Sequence, residues 1–191
     1  MLPVAVAEAF VTCERDGWAW CPAAIAAPDA LVAELADVVL IPLEPQVGKV
    51  EQRGASGVAA IEGRPRLAAL ADELAASSGG WRPDEVALGR YGRGDGISAH
   101  RDNSFYTGFV VVLTVAGSAR FQVLADRTAE VVLGEFVAEP GDLALLRGAR
   151  PSGEGGAAAR PFHAVGPPEN GEERTVLVLR RNARGAGRGW A

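Results

Sequence analysis

The sequence predicts an α+β fold that is mainly β: a jelly-roll core (a double-stranded β-helix) with N-terminal helices packed on it. Three observations carry this prediction. Two stretches before residue 80 repeat apolar residues in helical rhythm. From Val86 onward, about eight short apolar or β-branched runs alternate with Gly, Pro and Asp turn signals. The only two histidines, His100 and His163, stand with Asp102 in a frame that makes chemical sense only if separate strands bring them together.

The 191 residues suffice for one domain with a sizeable core. Hydrophobic residues make up 48% and charged residues 23%, ordinary values for a soluble globular protein. We take residues 1–191 as one domain. Residues 1–85 would supply N-terminal helices and lid-like loops, 86–182 the jelly-roll core, and 183–191 an Arg/Gly-rich tail expected to fray. The net charge of −5, concentrated in residues 1–80, argues against a general polyanion binder. No apolar run nears the roughly 18–20 residues of a membrane span. Met1–Phe10 is apolar but contains Glu8 and lacks a basic flank, so it does not read as a signal peptide. Cys13 and Cys21 could pair, but two cysteines are no disulfide framework. A cytoplasmic, reducing setting is expected.

Pro28 and Asp29 open a helix that continues through Leu31, Leu35 and Val38–Leu40, because proline at a first turn lacks only an N–H that would find no partner there. A second helix covers Pro65–Ser77, with Leu67, Leu70, Ala71 and Leu74 on one face, and Gly79-Gly80 stops it. Between them Ile41–Gly63 is broken by prolines and glycines. Irregular strands and loops are expected there, either as a surface connection or as a lid over a pocket. Val86–Tyr91 is a strand, Gly92–Gly96 a hairpin turn, and Ile97–Asp102 leads out of it. The unbroken apolar run Phe109–Val115 fits a strand buried on both faces. Ala119–Leu124, Ala129–Val137, Leu143–Leu146, Phe162–Val165 and Thr175–Leu179 complete the sheets, with a Gly/Ala-rich loop at Ser152–Ala159.

His100, Asp102 and His163 form the ligand set of a 2-His-1-carboxylate facial triad. Such a triad holds non-haem Fe(II) by one face and leaves the other open for cosubstrate and dioxygen. Side chains two apart on an extended segment point to the same side, so His100 and Asp102 can reach one ion from one strand end. The alternative is a pair of structural histidines. Gly92, Gly94 and Gly96 do not make a nucleotide loop, because a strand and not a helix follows them.

Arg174 and Arg180 lie six apart, with the nearly apolar Thr175–Leu179 between them, so on one strand both face the same side. An unpaired buried charge is very costly, so an inward arginine needs an anion. A dicarboxylate cosubstrate could supply it through bidentate pairing; so could a protein carboxylate such as Glu172 or Glu173. Arg181 should face solvent. Tyr91 could donate a hydrogen bond to the same cosubstrate, or simply rim the core. Asn103, Ser104, Phe105 and Tyr106 either line the pocket mouth or form a loop. Trp18 and Trp20 are expected in the core.

Arg90-Tyr91, Gly94, Ile97-Ser98, His100 and Asp102 together resemble the strand-turn-metal motif of Fe(II)/2-oxoglutarate-dependent dioxygenases, the AlkB-type dealkylases in particular. Pro140-Gly141-Asp142, His163 and the Arg174–Arg180 strand are similar to later landmarks of that superfamily, and Asp16-Gly17-Trp18 to its N-terminal region. The chain departs from the AlkB pattern at Gly89, where that group usually carries an asparagine that helps hold 2-oxoglutarate.

The resemblance implies Fe(II) on His100, Asp102 and His163. It implies 2-oxoglutarate on that metal, its distal carboxylate on Arg174, with Tyr91 assisting and Arg180 the next candidate anchor. Dioxygen would be the second cosubstrate, and succinate and CO2 the coproducts. Halogenating members of the superfamily replace the metal carboxylate to admit chloride, so Asp102 points to hydroxylation, demethylation or desaturation. A small molecule, such as an amino acid or natural-product intermediate, is the expected substrate. The alternative is an alkylated nucleic acid, which would need a basic groove from Arg147, Arg150, Arg184 and Arg188. A zinc hydrolase on the same ligands, or a non-enzymatic jelly-roll module, would leave Arg174 and Arg180 unexplained.

Overall fold

A computed structural model describes residues 2–46, 50–150 and 160–187. The loop expected at Ser152–Ala159 and the last residues of the tail, 188–191, lie outside the described residues. In chain order the elements are α1 (Val4–Asp16), β1 (Trp18–Cys21), α2 (Asp29–Val32) running into a 3₁₀ turn, β2 (Ile41–Pro42) and β3 (Ala55–Ala60). Next come α3 (Pro65–Ser77), β4 (Glu85–Tyr91), β5 (Ile97–His100), β6 (Tyr106–Ala116) and β7 (Ala119–Leu124). The chain ends with β8 (Val132–Ala138), β9 (Leu143–Arg147), β10 (Phe162–Pro168) and β11 (Arg174–Asn182).

The strands form a jelly roll of two antiparallel sheets. One runs β1-β9-β6-β11-β4-β3-β2 and the other β5-β10-β7-β8. Strand alternation divides the apolar side chains into two cores. Phe109, Val111 and Leu113 on β6, with Leu177 and Leu179 on β11, pack against α1 and α3. Val110 and Val112 on β6, with Val176, Phe121 and Val123, fill the space between the sheets. The run Phe109–Val115 is thus buried on both faces, as its composition predicts. Each such Val or Leu contributes about 1.5–3 kcal/mol of burial free energy.

Three local features differ from the sequence expectation. Helix α1 was not anticipated, although Val6, Ala9, Phe10 and Cys13 make an i, i+3, i+4, i+7 face, and all four are buried. The helix opened by Asp29 stops at residue 35 instead of running to Leu40. Its acidic side chains serve the neighbouring helix instead. The Glu34 carboxylate accepts the N–H groups of Arg66 and Leu67 at the start of α3, and Asp37 pairs with Arg64 at 2.9 Å. Capping α3 from outside this way fixes the chain path after Leu35. Finally, residues 183–187, expected to fray, are tied back: the N–H of Gly187 donates to buried Glu85 at 2.7 Å.

The Ile41–Gly63 stretch contributes β2 and β3, which extend the larger sheet beyond β4. Cys13 and Cys21 are free and buried, and burial pushes the Cys13 thiol up to about 12. No described helix is long and apolar enough to cross a membrane.

Candidate active site

The antiparallel register of β5 and β10 sets His100 directly opposite His163. Their ring centroids lie 4.1 Å apart. Asp102 joins them, its Oδ2 3.7 Å from His163 Nε2, and one ligand atom from each of the three lies within 4.8 Å of the others. Two imidazoles and a carboxylate converging at this range could hold one divalent metal ion. His100 Nδ1 donates to the carbonyl of Ser98 at 2.9 Å, which leaves Nε2 free as the ligand atom. The His163 ring lies nearly parallel to Phe121, at an interplanar angle of 3°.

Asp102 reaches this point by a route other than strand alternation. Strand β5 ends at His100, and residues 101–103 are irregular. Arg160 donates to the backbone carbonyl of Asp102 and pins that turn. Arg180 Nη1 donates to Asp102 Oδ1 at 3.3 Å. Burial pushes the Asp102 carboxyl up, but its neighbours His163, Arg180, His100 and Arg160 outweigh it and hold the group below its ordinary range. Burial, with His100 and Arg160 beside it, pushes His163 down to about 3. The metal-free site therefore presents a neutral imidazole and an ionised carboxylate at neutral pH, the protonation states that metal ligation needs.

The cavity floor is the ladder between β4 and β11. Its register pairs Arg174 with Tyr91 at one end and Arg180 with Glu85 at the other. Between these polar pairs stand Val176 opposite Gly89 and Val178 opposite Ala87. Arg174 is 2% exposed. It donates to Thr114 Oγ1 at 3.1 Å, while its buried Nε has no partner. Burial pushes its guanidinium down to about 10, with Tyr91 opposing the shift. A buried guanidinium with a donor to spare fits an incoming carboxylate. Gly89 lets the Tyr91 ring lie flat on the floor: a Cβ there would come within 3.1 Å of a ring carbon and 3.3 Å of the phenol oxygen.

Arg180 stands at the metal end. Its guanidinium lies 4.1 Å above the Tyr106 ring and 3.8 Å from Glu85 Oε1. Glu85, 0% exposed, accepts hydrogen bonds from the Tyr106 hydroxyl, Asn182 Nδ2 and the Gly187 N–H. Sequence reading missed Glu85. Antiparallel pairing could have found it, because a strand that sets Tyr91 against Arg174 must set Glu85 against Arg180.

A cavity of about 430 Å³ opens above these groups. Leu43, Gln46, Val50 and Gln52, from the stretch between β2 and β3, form part of its wall. Asn103 and Tyr106 line it as well; Ser104 is exposed, and Phe105 lies under the guanidinium of Arg184. Arg181 is exposed. Arg147 and Arg150 both pair with Glu14 on α1, so they do not flank the cavity as a basic groove, and Arg188 lies outside the described residues. Trp18 packs against the core as expected and stacks on Phe136, whereas Trp20, stacked on the same ring, is 41% exposed.

No protein-family model matches the sequence, and no curated protein matches it. Solved structures do match. A prolyl-4-hydroxylase from Pseudomonas putida superposes with a TM-score of 0.62 at 20% identity, over 93% of this chain and 98% of that one. A 2OG-Fe(II) oxygenase family oxidoreductase from Burkholderia pseudomallei gives 0.60 at 18% identity, over 97% and 94%. OsALKBH1 gives 0.65 at 13% identity, over 87% and 99%. The chain has the 2OG-Fe(II) oxygenase fold. Within that fold the β4–β11 ladder, the β5–β10 register and the cavity between the two sheets are this chain's own observed features.

Proposed function

We propose that the protein is an Fe(II)/2-oxoglutarate-dependent dioxygenase that oxidises a small molecule, with release of succinate and CO2. The observation that carries this reading is the placement of Arg174. A buried guanidinium with an unpartnered Nε shares one cavity with converging His100, Asp102 and His163.

His100, Asp102 and His163 would hold the iron. When bound, iron with 2-oxoglutarate and dioxygen supplies the oxidising power for attack on an unactivated C–H bond. The protein's own groups do the rest. Arg174 and the Tyr91 hydroxyl receive the distal carboxylate. Arg180 keeps Asp102 ionised and oriented, and His100 is held in one tautomer by Ser98. The wall formed by Leu43, Gln46, Val50 and Gln52 excludes water when substrate is in place. A cavity of about 430 Å³ suits a small substrate beside the cosubstrate. The nucleic-acid alternative loses support with Arg147 and Arg150 turned to Glu14.

The test is an anaerobic titration with Fe(II) and 2-oxoglutarate, followed by oxygen exposure and a substrate screen read by succinate release. One iron and one 2-oxoglutarate per chain, with succinate release stimulated by a small molecule, is the expected result. Failure to bind 2-oxoglutarate in the metal-loaded protein would overturn the reading.

A further inference from the structure

The charged groups of the cavity wall do not balance. Among the described residues, four guanidinium groups line it, from Arg101, Arg127, Arg174 and Arg180, against the one carboxylate of Asp102. The chain as a whole carries a net −5, so this local excess opposes the global sign. Resting on the oxygenase reading, ferrous iron and 2-oxoglutarate add two positive and two negative charges, so loading leaves this excess unchanged. Arg180 is engaged with Asp102 and Glu85, and Arg174 with the distal carboxylate. That leaves the mouth positive. The exposed guanidinium of Arg101 can therefore receive a second anion, one that neither cosubstrate nor metal provides.

Arg101 is where that charge resides. It stands between His100 and Asp102 in the chain, so ligand residues fix its backbone on both sides. Its guanidinium carbon lies 3.9 Å above the ring of Phe162, the residue before His163. Arg101 and its aromatic support are therefore the chain neighbours of all three metal-site residues. Arg127 approaches the same ring, at 5.9 Å. Among the described residues none forms an ion pair with Arg101. The nearby Arg160 adds more positive charge; its Nη2 donates to the backbone carbonyls of Asp102 and Asn103, and its buried Nε has no hydrogen-bond partner among the described residues. A guanidinium stacked on an aromatic face keeps its edge free for bidentate pairing with an anion.

We propose that the substrate is a small molecule bearing a carboxylate or a phosphate monoester, and that Arg101 receives this anionic group at the cavity mouth. The anion tethers one end of the substrate, and the carbon to be oxidised lies inward of it, toward the metal. Phosphate and carboxylate share this chemistry, and paired probes separate them.

The test uses the full chain loaded anaerobically with Fe(II) and saturating 2-oxoglutarate, so that the Arg174 site is already filled. Hexanoate, N-acetyl-leucine and phenyl phosphate are each titrated beside the uncharged partner: hexanamide, N-acetyl-leucinamide and phenol. At least one anion should bind tenfold or more tightly than its partner. Arg101→Gln should erase that preference, with iron content and the far-UV spectrum unchanged, and Arg101→Lys should restore part of it. Equal binding of anion and neutral partner would overturn the proposal. So would a preference that survives in Arg101→Gln, or no binding by any of the three anions. Tight binding confined to an oligonucleotide, with steep salt dependence, would overturn it in favour of a polyanion. If the protein fails to load with 2-oxoglutarate, the oxygenase reading itself falls and takes this proposal with it.

Discussion

Arg180 reaches Asp102 at 3.3 Å from a strand that supplies no metal ligand. The carboxylate of the triad is thus held from the opposite sheet. Glu85 stands behind Arg180 on the same ladder and completes a buried acid–base–acid row.

Removing Glu85 alone should be damaging. Glu85→Leu takes from Arg180 one of its two carboxylate neighbours and from the Tyr106 hydroxyl its buried acceptor. The expected loss is about 3–5 kcal/mol of unfolding free energy, read by urea denaturation. The double variant Glu85→Leu/Arg180→Met should recover part of that loss, because no buried guanidinium is left facing the missing Glu85; the remaining cost is Asp102 without Arg180. An additive double variant would show that the two side chains do not act as a pair.

Arg174→Ala should weaken 2-oxoglutarate roughly ten- to a hundredfold, the scale of a lost charged hydrogen bond of about 1.5–3 kcal/mol. Iron affinity should hardly move, since Arg174 contacts no metal ligand. Calorimetry on the metal-loaded protein measures both. Unaltered 2-oxoglutarate affinity would place the anchor elsewhere.

Gly89→Val tests the floor. Its Cβ would lie 3.0 Å from Val176 Cγ2 and 3.1 Å from the Tyr91 ring, so the ring must lift. A lower 2-oxoglutarate affinity with intact iron binding is expected. An additional Tyr91→Phe change should then cost little, because the phenol has already been displaced.

The stability of the metal-free protein should depend on pH through His163. Its folded value of about 3 lies below the unfolded value of about 6.5, so the unfolded chain takes up the proton first. The stabilisation is complete above pH ~6.5 and is lost as pH falls from there toward 3, by about 1.4 kcal/mol per pH unit for one proton. His163→Phe, which keeps a ring beside Phe121, should flatten that slope in denaturation curves recorded across the range.

His100, Asp102, His163, Arg174 and Tyr91 could be singled out in the sequence because each is a polar group set in or beside an apolar strand. Their convergence could not be read there, since it depends on the β5–β10 register. Glu85 stayed hidden for a different reason. It follows Pro83 and Asp84, where a carboxylate looks like part of a solvated turn, and only pairing with β11 buries it. Helix α1 is hard to read in the sequence because Val4, Ala5, Ala7 and Val11 off its buried face are also apolar and blur the spacing of Val6, Ala9, Phe10 and Cys13. The stretch between β2 and β3 has too many prolines and glycines for periodicity to show that β3 adds a strand to the larger sheet.

The tether from Gly187 to Glu85 also constrains how the protein is made. During synthesis, Glu85 and the His100–Asp102 segment leave the ribosome well before β11 and the turn after it. Until those segments emerge, Glu85 lacks Arg180, Asn182 and the Gly187 N–H, and Asp102 lacks the Arg180 guanidinium. A nascent chain can pack α1 and α3, yet it carries no finished site to capture a metal. Maturation of the centre is thereby deferred until β11 and the turn after it have been made.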